Sequence, residues 1–145
     1  MRALALATAL LVAAPAFAGF TPEQEKQLAD ATFVYIQSER KSGEWSTPAE
    51  IWFFVDGGTL YVGTKPGSWR VKRIKAGRTK ARIAIGKVGG PAFEATGAVV
   101  TNAAIEAKLM AAYATKYPEG WKKYEQNFRD GFKSGERVVV AYTPR

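Results

Sequence analysis

The sequence predicts a mainly β protein: a six-stranded antiparallel barrel with peripheral helices. Three observations carry this. Short β-branched or aromatic runs recur at 32–38, 49–55, 59–64, 81–86, 93–100 and 137–142. Tight glycine turns, Asp56-Gly57-Gly58 and Gly89-Gly90-Pro91, join some of them. Helical stretches fall at the start, between the third and fourth runs, and in one late block, without the strand–helix alternation of a parallel sheet.

The elements follow in order. Thr21 suits an N-cap and Pro22 the first helical position, while Glu23 and Glu25 favour the positive end of the dipole; this helix should end near Asp30. Thr32–Ser38 reads as a strand and Arg40–Glu44, with Gly43, as a turn. Ala49–Val55 reads as one strand, and its unbroken run from Ile51 predicts burial on both faces. Gly57 and Gly58 supply the positive φ of a tight hairpin, and Thr59–Thr64 is the returning strand. Lys65-Pro66-Gly67 breaks it, the Ser68 hydroxyl caps a short helix Trp69–Lys75, and Ala76-Gly77 stops that helix. Two further strands follow. Asn102 caps a helix to about Tyr117, with Ile105, Leu109 and Tyr113 recurring every four residues. Pro118-Glu119-Gly120 separates it from a second helix, Trp121 to about Phe132, and Arg137–Tyr142 closes the chain.

Residues 1–18 read as a cleavable signal peptide. Arg2 is a minimal charged n-region, Ala3 to Ala14 is apolar, and Ala16-Phe17-Ala18 is a small-x-small cleavage site. The expected location is therefore secreted, and periplasmic in a bacterium with two membranes. Residues 19–145 then form a single domain, with C-terminal helices and a closing strand. No second apolar run near twenty residues follows, so no stable membrane anchor is expected.

The formal charge is +8, but its distribution says more. Between Asp56 and Glu94 stand nine bases and no acid: Lys65, Arg70, Lys72, Arg73, Lys75, Arg78, Lys80, Arg82 and Lys87. A local cationic surface concentrates anions. Stacking aromatics are not interleaved through the segment, which argues against nucleic acid. The best local site is Ser68–Lys75, where Arg70, Lys72 and Arg73 could hold a phosphate with the Ser68 and Thr64 hydroxyls; the bland alternative is a solvated charged face. Trp52, Phe53 and Phe54 could wall a planar ring or fill the core, and Trp45 and Trp69 suit stacking on a ligand or a subunit contact.

Absences bound the chemistry. With no His and no Cys, Ser-His-Asp triads, ordinary zinc and blue-copper sites, iron–sulfur clusters and His-ligated haem are excluded, so no metal site is expected. No carboxylate pair is evident either. An enzyme built on this chain would rely on a bound cofactor for the hard step.

The string Ser46-Thr47-Pro48-Ala49-Glu50-Ile51-Trp52-Phe53-Phe54-Val55-Asp56-Gly57-Gly58-Thr59-Leu60-Tyr61-Val62, followed by Thr64 to Arg73, Arg82-Ile83-Ala84 and Gly97, resembles the pyridoxamine 5′-phosphate oxidase-like family. The likeness is closest to its flavin- and deazaflavin-dependent branch and covers most of residues 30–101. It implies a split β-barrel of the FMN-binding type, a homodimer, and FMN or coenzyme F420 in a groove between subunits. It also implies hydride transfer to or from a small organic substrate. Thr64, Ser68, Arg70, Lys72 and Arg73 would hold the cofactor phosphate, with Thr47 and Pro48 near the ring system. Arg70 stands where many relatives have Lys, which keeps the charge but changes the hydrogen-bonding geometry. The alternative is a non-catalytic periplasmic binding module for a phosphorylated or anionic small molecule on the same fold.

Overall fold

A computed structural model describes residues 19–145; the expected signal peptide, residues 1–18, lies outside the described residues. In chain order the elements are α1 (Pro22–Asp30), β1 (Val34–Ser38), β2 (Ala49–Ile51), β3 (Phe54–Asp56), β4 (Thr59–Thr64), α2 (Trp69–Lys75), β5 (Lys80–Ile85), β6 (Ala92–Val100), α3 (Ala103–Lys116), α4 (Pro118–Ser134) and β7 (Val138–Pro144). The strands form one antiparallel sheet in the order β2-β1-β5-β6-β7-β4-β3. Its two edge strands, β2 and β3, are consecutive in the chain and separated only by Trp52 and Phe53. Three peptide units reach roughly 10 Å at about 3.3–3.6 Å each, so the opposite edges of the sheet must come together. The sheet curls into a partly closed barrel.

Seven strands stand where six were expected. The single strand predicted over 49–55 is two, because the main chain turns out of the ladder at Trp52-Phe53. Tyr113 of α3 and Tyr117, which caps its C-terminal end one turn later, supply the lost partners. Tyr113 Oη donates to the Trp52 carbonyl at 2.8 Å, and the Phe53 N–H donates to Tyr117 Oη at 3.2 Å. Tyr117 Oη itself donates to the Thr32 carbonyl at 2.7 Å. The expected burial of both faces also fails at the end of the run, where Val55 is 38% exposed.

The helix starts follow their sequence signals. Thr21 and Gln24 form a reciprocal capping box at α1, and Asn102 Oδ1 accepts from the N–H groups of Ala104 and Ile105 at α3. The last helix starts at Pro118 rather than Trp121, since proline's fixed φ suits the first helical turn. It ends where Gly135 takes up a left-handed conformation. The Asp56–Thr59 hairpin turns through Gly57 and Gly58, both at positive φ, as predicted.

Two cores result. Val34, Ile36, Leu60, Val62, Ile83 and Val140 fill the barrel, with Val71 of α2 packed among them. A second core, centred on Leu109, Tyr113, Trp121, Phe128 and Val139, lies where α3 and α4 cover the sheet. Each fully buried large apolar side chain contributes about 1.5–3 kcal/mol. This packing leaves α2 lying over β6, with its first turn beside the β1 end of the sheet. No helix among the described residues is long and apolar enough to cross a membrane.

Candidate functional site

The site grows from β1. Its side chains alternate buried and half-buried, so Val34, Ile36 and Ser38 share the inward face. Ser38 is thus a hydroxyl at a position the pattern reserves for an apolar residue. Across the turn it meets Ser46: the Ser46 N–H donates to the Ser38 carbonyl, and the Ser38 N–H donates to Ser46 Oγ, both at 2.9 Å. Ser38 and Ser46 are the buried polar residues among those described. Their main-chain bonds leave the Ser38 hydroxyl free to accept from Arg73 Nη1, at 2.9 Å.

Above these serines the first turn of α2 closes a cleft of about 390 Å³. Arg40, Arg70 and Arg73 line it together with the hydroxyl residues Ser38, Ser46, Thr47 and Ser68, and no lining residue is acidic. The Arg73 guanidinium is pushed below its ordinary pKa by burial, and further by the charges of Arg40 and Arg78. Arginine stays protonated in either case, so the shift expresses a standing cost of burying this cation, increased by the two beside it. Arg70 Nη1 is buried without a hydrogen-bond partner. Both features call for an anion.

The sequence-derived residues distribute as follows. Thr47, Ser68, Arg70 and Arg73 come together around the cleft. Thr64 stands just outside it, its Oγ1 donating to Ser68 Oγ at 3.3 Å. The Ser68 hydroxyl makes no capping bond to α2, contrary to expectation, because it is engaged by Thr64. Pro48 is half-buried between two lining residues, Thr47 and Ala49, without lining the cleft itself. Lys72 is exposed and does not line the cleft; its Nζ lies 4.9 Å from the ring centre of Trp69. Sequence reasoning missed Ser38, Arg40 and Ser46. Ser38 was recoverable, since a serine in the third inward position of an apolar strand is a signal; Arg40 and Ser46 carry no comparable mark.

Trp69 flanks the cleft and is 68% exposed, with the Arg73 guanidinium carbon 5.4 Å from its ring centre. Ser68 also borders a wider groove of about 1300 Å³ between the β4–α2 turn and the end of α4. The arrangement offers charge, hydroxyl donors and an exposed ring, but no acid or base placed for proton transfer. Its chemical competence is to grip an anionic group.

No family model matches the sequence, and no curated protein does. Solved structures match in shape. A Listeria innocua protein proposed to be a pyridoxamine 5′-phosphate oxidase superposes with a TM-score of 0.61, at 14% identity, over 85% of this chain and 91% of its own. An F420 reductase gives 0.51 at 18% identity, over 83% and 92%. HutZ, the heme storage protein of Vibrio cholerae, gives 0.58 at 9% identity, over 88% and 91%. Such identities speak for the fold and leave activity open. The curled antiparallel sheet with its peripheral helices is the split β-barrel of the pyridoxamine 5′-phosphate oxidase-like proteins.

Proposed function

We propose that this protein is an FMN- or F420-dependent oxidoreductase that transfers hydride to or from a small organic substrate. The observation that carries the reading is the acid-free cleft lined by Arg40, Arg70 and Arg73, in which Arg73 donates to the Ser38 hydroxyl. The donor set fits a phosphate: several charges, hydroxyl donors, and a buried guanidinium nitrogen lacking a partner. Arg70 and Arg73 would hold the phosphate, with Ser68 and Thr47 completing its shell. Thr47 and Pro48 would set the start of β2 against the ring system. The bound flavin or deazaflavin supplies the hydride chemistry; the protein's own residues bind, orient and exclude water.

A cleft of about 390 Å³ is at the small end of ligand pockets, so it accommodates the phosphate end and leaves a tricyclic ring outside it. The exposed Trp69 beside it supports a homodimer in which a second copy covers that ring. Haem, which the V. cholerae neighbour stores, is supported less well, since the chain has neither His nor Cys to ligate the iron. Export through residues 1–18 belongs to the same reading, and a mature protein beginning at Gly19 by N-terminal sequencing would support it.

The test is spectroscopic. The purified protein should be yellow, or become so with FMN or F420, with retained absorbance after gel filtration. Replacing Arg70 and Arg73 together by Ala should abolish that retention. A second reading, a non-catalytic module for a phosphorylated small molecule, is favoured by the absence of a placed acid or base. A colourless protein that no flavin or deazaflavin reconstitutes, yet that gains thermal stability from a phosphate monoester, would select it and end the oxidoreductase proposal.

A further inference from the structure

Sharing no residue with the arginine cleft, an aromatic pocket of about 310 Å³ lies beside the β2–β3 corner. Trp52, Phe33, Tyr113, Tyr124 and Phe128 form much of its wall, and Arg137 stands in it as the single cation. The pocket is a consequence of the β2–β3 corner. Once Trp52 leaves the ladder, its indole stacks on Tyr117, with ring centres 4.5 Å apart and planes at 10°, and it lies nearly parallel to Phe128 at 6.4 Å.

Arg137 is held there deliberately. Its N–H donates to the Gly131 carbonyl at 3.0 Å, and a Cβ at Gly131 would come within 2.8 Å of Arg137 Cβ. Only a glycine lets the end of α4 close on this residue. The guanidinium carbon lies 3.8 Å from the ring centre of Phe128. The ion pairs among the described residues are Lys108–Asp56, Lys122–Glu119 and Arg129–Glu125, so Arg137 has no carboxylate partner. Glu50 also borders the pocket; its carboxylate accepts from Tyr35 Oη at 2.7 Å and makes no ion pair with Arg137. Burial lowers the Arg137 pKa, since its guanidinium has lost part of its water. A guanidinium over a ring face keeps N–H donors at its edge, where two parallel ones match the two oxygens of a carboxylate.

We propose that this pocket is a second ligand site, for a small planar aromatic carboxylate whose ring enters among Trp52, Phe128 and Tyr124 and whose carboxylate pairs with Arg137. The size excludes large ligands, since about 310 Å³ lies at the bottom of the range for organic-molecule pockets. The aromatic walls select a flat body, and the unpaired cation selects its charge.

The experiment is isothermal titration calorimetry with naphthalene-2-carboxylate and its neutral counterpart 2-naphthylmethanol, on the wild-type chain and on Arg137→Gln. Naphthalene-2-carboxylate should bind the wild type at least about tenfold tighter than the alcohol, the range expected for one charge-assisted contact. Arg137→Gln should bring the acid down to the level of the alcohol and leave the alcohol within about twofold. Circular dichroism checks that the variant folds; if it does not, Arg137→Lys, which keeps the charge but not the paired donors, takes its place and should lower the acid's affinity while leaving the alcohol's within about twofold. Equal affinity for acid and alcohol, no heat from either, or an acid affinity untouched by Arg137→Gln would overturn the proposal.

Discussion

Tyr113 Oη donates to the main-chain carbonyl of Trp52 at 2.8 Å and accepts from the N–H of Gly63 at 3.3 Å, so one side chain of α3 joins the β2–β3 corner to the neighbouring strand. The residue is 1% exposed, and burial holds its phenol well above the ordinary tyrosine pKa. The corner that lets the sheet curl therefore depends on a helix some sixty residues further along the chain.

Removing that hydroxyl should be costly. Tyr113→Phe keeps the ring packing but strands a buried carbonyl, which costs about 1–3 kcal/mol. Urea denaturation should show the midpoint falling with the slope unchanged. Tyr113→Phe as stable as the wild type would mean the corner is held by packing alone.

A second prediction concerns Gly120, at the start of α4. A Cβ there would lie 2.5 Å from Trp52 Cζ2 and 2.7 Å from Cη2. The indole is stacked on Tyr117 and cannot withdraw freely. Gly120→Ala should destabilise by about 1–3 kcal/mol, as overpacking does, although alanine favours a helix more than glycine. Thermal unfolding distinguishes the two signs directly.

The arginine cleft makes a graded prediction. Arg70→Ala with Arg73→Ala should weaken FMN or phosphate-ester binding by about 3 kcal/mol or more, over a hundredfold in Kd. Lys72→Ala, whose ammonium lies outside the cleft, should cost less than about 1 kcal/mol. Calorimetric titration of the three proteins checks the order; equal losses for Lys72 and the arginine pair would place the anion elsewhere on α2.

Lys116 links stability to pH. Its ammonium lies 3.3 Å from the ring centre of Phe53, and burial lowers its pKa to about 8. The unfolded chain should titrate near the ordinary value of 10.5. Between these values the unfolded state binds the extra proton, so raising the pH stabilises the fold, and the benefit is lost as pH falls through about 8. The ring face favours the ammonium and offsets part of this. Comparing Lys116→Met with the wild type from pH 8 to 10, the wild type should gain stability relative to the variant. Parallel curves would show that Lys116 titrates normally.

Much of the fold is written locally. Thr21-Pro22, Asn102 and Gly57-Gly58 act through bonds three residues away or less, and each did in the structure what its residue type predicts. The clustering of Arg70 and Arg73 on one short helix is equally local. The break at Trp52-Phe53 is not: five apolar residues in a row read as one buried strand, and nothing near them announces that Tyr113 and Tyr117 will take over their main-chain groups. The Ser68 hydroxyl was misread for a related reason, since Thr64 competes for it.

By itself, then, the sequence determined a mainly β chain, its helix starts and its tight turn, because capping, positive φ and side-chain alternation act over a few residues. Tertiary structure alone decided how the seven strands order themselves, that Arg40, Ser38 and Ser46 face Arg73, and that Arg137 enters an aromatic pocket without forming an ion pair among the described residues. Those arrangements join residues tens of positions apart, and they exist only once hydrophobic burial has curled the sheet and pressed α2, α3 and α4 against it.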